Sequence, residues 1–116
     1  MANVQIGYDT NSGVFTIPDK TEVHGSSGTA QAIAFTQAPG STGWSLSSIN
    51  FTSSQFSPSS NNGNVIVVRD AFTDLTKTNH KFTVTITINS QPPRSITSHD
   101  PDIVNDPNSP VPTPKA

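Results

Sequence analysis

The sequence is poor in several residue types, and each shortage excludes a class of protein. It contains no cysteine, which excludes disulfides, thiolate zinc sites and cysteine nucleophiles. Only 12% of the 116 residues are charged and the net charge is −2, whereas nucleic-acid binders carry basic patches that neutralise phosphates. The longest wholly apolar runs, such as Val65–Val68, have four residues, far below the roughly 20 residues that span a bilayer. We therefore expect neither a nucleic-acid partner nor a membrane partner.

Strong helix formers are also scarce, and β-branched residues take their place. Glutamate occurs once, at Glu22, and leucine twice, at Leu46 and Leu75, against 9 Val and 9 Ile. Serine, threonine and asparagine number 16, 15 and 10. Because β-branched side chains fit a pleated surface and small polar residues suit turns, this composition predicts an all-β fold.

The N-terminal segment shows neither a basic region nor an apolar stretch of the kind that forms a secretory signal. The sequence also has no recognisable cofactor-binding motif. We therefore expect a cytoplasmic protein that uses no cofactor.

The clearest predicted strand is His80–Asn89, in which apolar residues alternate with threonine over seven positions. A loop or turn is predicted at Ser57–Gly63, because this run consists of serine, proline, asparagine and glycine. A slip in the alternation of Trp44–Phe51 predicts a bulge near Ser47 and Ser48. Further strands are predicted at 4–8, 14–17, 29–36, 64–69, 94–98 and 102–104, and a hairpin turn at 11–13.

About seven short strands separated by turns predict an immunoglobulin-like antiparallel β-sandwich, with a small barrel or jelly roll as the alternative. Residues 1–107 would form one domain. Residues 108–116, with prolines at every second position from 110 to 114, would form a proline-rich extended tail. The predicted core consists of Ile6, Phe15, Ile17, Ile33, Phe35, Trp44, Leu46, Val67, Phe82, Val84 and Ile86.

Candidate catalytic residues are few. Ser98, His99 and Asp100 are the residue types of a hydrolase triad, but adjacent side chains on an extended segment point to opposite faces. His24, His80 and His99 are too far apart in sequence for a recognisable zinc motif. These residues are therefore predicted to be ordinary polar residues, and the protein is predicted not to be an enzyme.

The C-terminal quarter concentrates acidic residues. Asp100, Asp102 and Asp106 lie within seven residues and are weak candidates for a calcium site, which Asn105 and a loop containing Asp70 or Asp74 would complete. Their spacing matches no EF-hand loop. Aspartate next to proline is also common turn chemistry, so a purely structural role is the competing interpretation.

A ligand of another kind is a glycan. Trp44 and Tyr8 are the only residues of their types, and an exposed ring of either could stack on a sugar. The competing interpretation places both rings in the core.

The segment Asp100-Pro101 through Asp106-Pro107 resembles the signature of the DP-EP family, small bacterial proteins named for a repeated acid-proline pair. Aspartate stands at the second acid, where the family name implies glutamate. The resemblance implies a compact β-sandwich without a characterised reaction. Physically, the two prolines would bracket the last strand, with Ile103 or Val104 in the core, as a clamp on an edge strand.

These observations lead to a functional expectation. The protein is expected to be a non-enzymatic soluble β-sandwich that acts through protein contacts, including self-association along a sheet edge. The alternative is a module that binds a glycan or calcium through the acidic C-terminal segment.

Overall fold

The computed structural model describes residues 2–107, and these residues contain ten β-strands and no helix. The all-β prediction is confirmed, although the number of strands exceeds the expected seven. The strands are β1 (Ala2–Asp9), β2 (Val14–Thr16), β3 (Lys20–His24), β4 (Gln31–Gln37), β5 (Trp44–Phe51), β6 (Phe56–Asn61), β7 (Val65–Asp70), β8 (Thr78–Ile88), β9 (Arg94–Thr97) and β10 (Asp102–Asp106).

The strands form two sheets in a sandwich-like arrangement. The first sheet has the order β2-β1-β4-β7-β6, and the second has the order β3-β10-β8-β5, with β9 also paired to β8. The predicted antiparallel arrangement is wrong for two pairs, because β1 pairs with β4 and β3 with β10 in parallel. Parallel partners need long connections, so turn signals between neighbouring segments contain no information about these pairs.

Strand β6 corrects the prediction of a loop at Ser57–Gly63. Apart from the buried Phe56, its residues are exposed, and the strand pairs with β7. Pro58 is accommodated because β6 is an edge strand and its register shifts between Pro58 and Ser60. Backbone pairing at an edge places few demands on side chains, so loop-like residues are compatible with a strand there.

The core lies between the two sheets. Nine of the eleven predicted core residues are buried, whereas Phe15 and Val67 are half-buried. All four residues from Val65 to Val68 are apolar, so alternation could not choose a face. In the structure, Ile66 and Val68 point inward. The buried set also includes Val4, Tyr8, Val23, Phe56, Phe72, Ile88, Ile103 and Val104.

Two local predictions are confirmed. The register of β5 against β8 shifts between Leu46 and Ser48, as the interrupted alternation indicated. Strands β1 and β2 form a hairpin, in which Gly13 has a φ of 74° and donates its backbone N–H to Asp9 O at 2.8 Å. A positive φ is accessible to glycine without steric cost.

The acid-proline pairs lie on either side of β10, and both Ile103 and Val104 are buried. However, β10 lies between β3 and β8, so the predicted edge position is wrong. The reason is β3, a strand with a single large apolar residue, Val23, which the alternation pattern does not predict. The predicted proline-rich tail, 108–116, lies outside the described residues.

The part of the chain that the structure describes has no helix long and apolar enough to cross a membrane.

Candidate functional site

Ser98, His99 and Asp100 do not form a catalytic arrangement. The Ser98 hydroxyl accepts a hydrogen bond from Val84 N at 2.9 Å and donates one to His99 O at 2.8 Å. The His99 and Asp100 side chains are exposed. The Ser98 hydroxyl therefore hydrogen-bonds to backbone groups just after the end of β9.

The three C-terminal aspartates have different surroundings. Asp100 is exposed, and Asp102 accepts hydrogen bonds from Asn79 and Lys81, both at 3.3 Å. Asp106 lies four residues further along β10, at the end of the strand, where it pairs with His24 of β3. The structure therefore separates the residues proposed to share a calcium ion.

The aromatic rings considered for sugar stacking belong to the core. Trp44 is 3% exposed and donates its indole N–H to Ser41 Oγ at 3.0 Å. Tyr8 is 7% exposed and packs on Phe15 with ring centroids 4.8 Å apart. Neither ring presents a platform to a sugar.

Five polar side chains instead meet between the sheets, and we call them the buried polar cluster. They come from positions near the ends of strands and from the two loops, β5–β6 and β7–β8, that cross between the sheets, because both places bring polar residues to the rim of the core. The members are Gln55, Asp70, Asp74, His80 and Asn105.

Asn105 joins the members of this cluster. Its Nδ2 donates to Asp70 Oδ1 at 3.2 Å, to Asp74 Oδ2 at 3.1 Å and more weakly to Gln55 Oε1 at 3.4 Å. His80 Nε2 donates to Asp74 Oδ2 at 2.7 Å. Because Asp70 lies in the first sheet and Asn105 and His80 in the second, the cluster connects the two sheets through hydrogen bonds.

The cluster contains two buried acceptors without a partner among residues 2–107. Asp70 and Asn105 are fully buried, and Asp70 Oδ2 and Asn105 Oδ1 make no hydrogen bond there. An unsatisfied buried acceptor is costly. A proton on Asp70 Oδ2 would remove a buried negative charge and provide the donor that this end of the cluster lacks.

The two aspartates of the cluster have opposite pKa shifts. Burial raises the pKa of Asp70 above its ordinary value of 3.8, and the hydrogen bonds from Phe72 and Asn105 offset this only in part. Burial also acts to raise the pKa of Asp74, but hydrogen bonds from His80 and Asn105 outweigh it and hold that pKa below 3.8. The hydrogen bonds therefore favour the ionised form of Asp74 beside His80, whereas burial shifts Asp70 toward its protonated form.

This difference predicts how stability depends on pH. A raised pKa means that the folded state binds more protons than the unfolded state, so the contribution of Asp70 is lost as pH rises above 3.8. Asp70→Asn keeps the acceptor for Phe72 and replaces the acid O–H by a permanent N–H donor. Urea unfolding should measure the free energy of unfolding of this variant and of wild type between about pH 4 and about pH 8. We expect the difference, variant minus wild type, to increase as the pH rises.

Asp9→Asn is the matched control. Asp9 is exposed, and backbone hydrogen bonds from Asn11 and Ser12 lower its pKa. Above about pH 5 it is ionised in both states, so its stability difference from wild type should be constant there. A pH-independent difference for Asp70→Asn would show that Asp70 is ionised in the folded protein.

A second cluster lies on the outer face of the second sheet, and we call it the edge triad. It consists of Glu22 and His24 of β3 and Asp106 of β10. His24 Nε2 lies 3.4 Å from Glu22 Oε1, and Lys77 Nζ lies 3.7 Å from Glu22 Oε2. Glu22 and His24 are exposed, whereas Asp106 is 8% exposed.

Two depressions also lie on the surface of residues 2–107. One, of about 800 Å³, is lined by residues of the β1–β2 turn and the loop before β5, including Asp9, Thr10 and Ser41. The other, of about 380 Å³, is a groove between β5 and β6.

Sequence reasoning placed Asn105 with Asp70 or Asp74, and the structure brings these three residues together, but with Gln55 and His80 and without Asp100, Asp102 or Asp106. One further signal was present. His80 is in phase with Phe82 on β8, Asp70 with Val68 on β7, and Asn105 with Ile103 on β10. A polar residue on the apolar face of a strand indicates a buried polar interaction. No local pattern connects Glu22 and His24 with Asp106, because their proximity depends on the pairing of β3 with β10.

Fold and clusters together define an all-β protein, with ten strands in residues 2–107 and a polar cluster between its sheets. No family model matches the chain, and no curated protein matches it. The resemblance to the DP-EP family therefore stays a prediction based on its acid-proline pairs.

Proposed function

We propose that this protein is a non-enzymatic, immunoglobulin-like β-sandwich that acts through protein contacts, and that it self-associates through β5. The observation that supports this most directly is the position of β5 at the end of the second sheet, beside an apolar groove. The DP-EP assignment and the cytoplasmic location remain predictions that go with this proposal.

The groove has an aromatic wall. Phe51 of β5 and Phe56 of β6 stack with ring centroids 3.9 Å apart and an interplanar angle of 4°. Ile66 and Val68 of the first sheet also line it. An incoming strand could therefore hydrogen-bond to the edge of β5 while its side chains contact an apolar surface.

Among residues 2–107, the end of β6 and the turn that follows it hydrogen-bond to the first half of β5. In the first half, Leu46 N donates to Gly63 O at 2.8 Å, and Ser47 O accepts from Asn61 Nδ2 at 3.0 Å. The available edge is therefore 48–51.

Other edge strands carry features that discourage pairing. β6 contains Pro58 and a register shift, β2 has three residues, and β3 carries Lys20 and Glu22. Charges, prolines, bulges and short length all protect sheet edges. β5 contains neither charge nor proline.

The proposed occupant of the groove is a second copy of the chain. In a two-fold dimer each edge meets its own copy, so a charged edge would bring like charges together, which is destabilising. Because β5 is uncharged, antiparallel pairing of two β5 strands brings no such pair together.

The test is size-exclusion chromatography with light scattering at protein concentrations up to about 1 mM. At that concentration even a weak dimer is populated enough to be detected. Wild type is expected to shift toward a dimer as concentration rises. Asn50→Lys, at an exposed position of β5, should stay monomeric because it places two lysines near each other. The matched control is Ser59→Lys on β6, which should dimerise as wild type does.

Thermal melts of both variants verify that they fold. A monomeric wild type at every concentration, or a dimer that Asn50→Lys leaves intact, would contradict pairing through β5.

A further inference from the structure

We propose that the edge triad of Glu22, His24 and Asp106 binds a divalent transition-metal ion such as Zn²⁺ or Co²⁺. This inference does not depend on self-association through β5, because the triad lies at the opposite end of the second sheet.

The pairing of β3 with β10 creates the triad. The parallel register places Asp106 opposite His24 and Val104 opposite Glu22. Glu22 and His24 are two residues apart on one strand, so their side chains share a face. The outward-facing side of two neighbouring strands thus presents Asp106 beside two ligands that are more than 80 residues away from it in sequence.

The distances suit a metal ion. One ligand atom from each residue lies within 4.8 Å of the other two, and His24 Nε2 lies 3.4 Å from Glu22 Oε1. Two ligands that are each about 2.0–2.2 Å from a tetrahedral zinc ion are about 3.3–3.6 Å apart. The His24–Glu22 distance therefore matches directly, and Asp106 needs only a modest side-chain adjustment.

The chemistry of the ligands selects the class of ion. An imidazole nitrogen favours zinc, cobalt, nickel and copper, whereas calcium and magnesium prefer oxygen ligands throughout. Two carboxylates compensate the charge of a divalent ion, and water can complete the coordination on the solvent side. Lys77 lies near Glu22 Oε2, which leaves Oε1, the oxygen nearer His24, for the ion.

Metal binding would connect β3 to β10. β3 is the outermost strand of the second sheet, so a bound ion should raise the melting temperature by linkage, since the unfolded chain does not hold the three ligands together. Metal binding displaces protons from its ligands, so affinity should fall as the solution is acidified.

The experiment is calorimetric titration of the untagged full chain with Zn²⁺, together with Co²⁺ absorption, at neutral pH. We expect one ion per chain. His24→Gln and Asp106→Asn, which preserve size and polarity, should each weaken binding by at least about tenfold. The matched controls are His99→Gln and Asp102→Asn, a histidine and an aspartate outside the triad, and they should bind as wild type does. Asn50→Lys should also bind normally, which separates this site from the β5 edge.

Three results would overturn the proposal. They are the absence of Zn²⁺ binding by wild type, equal affinity in His24→Gln and wild type, and a comparable loss in His99→Gln, which would indicate scattered surface binding. A rise in melting temperature with Ca²⁺ equal to that with Zn²⁺ would also contradict the assigned class of ion.

Discussion

Replacing Asn105 with aspartate is expected to lower the free energy of unfolding by about 3–5 kcal/mol, the usual cost of an uncompensated buried charge. Asn105 is fully buried, and its Nδ2 donates to the carboxylates of Asp70 and Asp74. The substitution removes that donor and places a third carboxyl group beside two others. Urea unfolding at neutral pH measures the loss. The loss should be smaller in acid, where the added carboxyl group is protonated.

Asn3→Asp is the matched control for this prediction. Asn3 is exposed on β1, and its Oδ1 accepts a hydrogen bond from Thr36 Oγ1 at 3.1 Å, which a carboxylate can also accept. Its effect should stay within about 0.5 kcal/mol. If Asn105→Asp were equally mild, the hydrogen bonds of Asn105 would not connect the sheets as described.

Phe72→Ala is expected to cost about 3–5 kcal/mol, as truncation of a buried phenylalanine generally does. Phe72 is 0% exposed and contributes to the core from the loop between β7 and β8. Its φ is 57°, a value uncommon outside glycine. Asp70 Oδ1 accepts from its N–H at 2.9 Å, and its C=O accepts from Gly28 N at 2.8 Å. The ring and these backbone bonds therefore hold an unfavourable conformation together.

Leu75→Ala is the control in the same loop. Leu75 is 80% exposed, so its truncation should change the free energy of unfolding by less than about 0.5 kcal/mol. Equal losses for the two variants in chemical denaturation would mean that Phe72 does not anchor the crossing loop.

The position of the buried polar cluster follows from the path of the chain between the two sheets. The chain leaves the first sheet at Asp70, anchors Phe72 in the core and enters the second sheet at Thr78. Asp70 bonds both to the backbone of Phe72 and to Asn105. The cluster therefore fixes how the chain crosses from the first sheet to the second. Buried polar groups can specify one arrangement of the chain in this way.

Much of the second sheet was predictable from local patterns. β8 matches its predicted alternation, since Phe82, Val84, Ile86 and Ile88 are all buried. The bulge in β5 followed from a slip of one residue in the same kind of pattern. Where every residue was apolar, as in 65–68, alternation gave no direction, and Val67 was placed on the wrong face.

The candidate sites were much less predictable. Asp106 was noticed for its proline neighbour, but its grouping with Glu22 and His24 depends on a strand that the pattern does not predict. The aspartates at 100 and 102 shared a short segment with it and still face different surroundings. Closeness in sequence is a poor guide to ligand geometry along an extended chain, because each residue advances a strand by about 3.3 Å, so Asp102 and Asp106 share a face of β10 but lie roughly 13 Å apart.

By itself the sequence determined the all-β class, the inward faces of the regular strands and the local devices such as the Gly13 turn. These depend on side-chain period and backbone dihedral preference, which are local properties. Only the tertiary structure decided that β1 pairs with β4 and β3 with β10, that β10 is internal, and that Asp70 meets Asn105. Strand pairing uses backbone groups that are the same for every residue except proline. The choice of partner therefore depends on how the whole core packs.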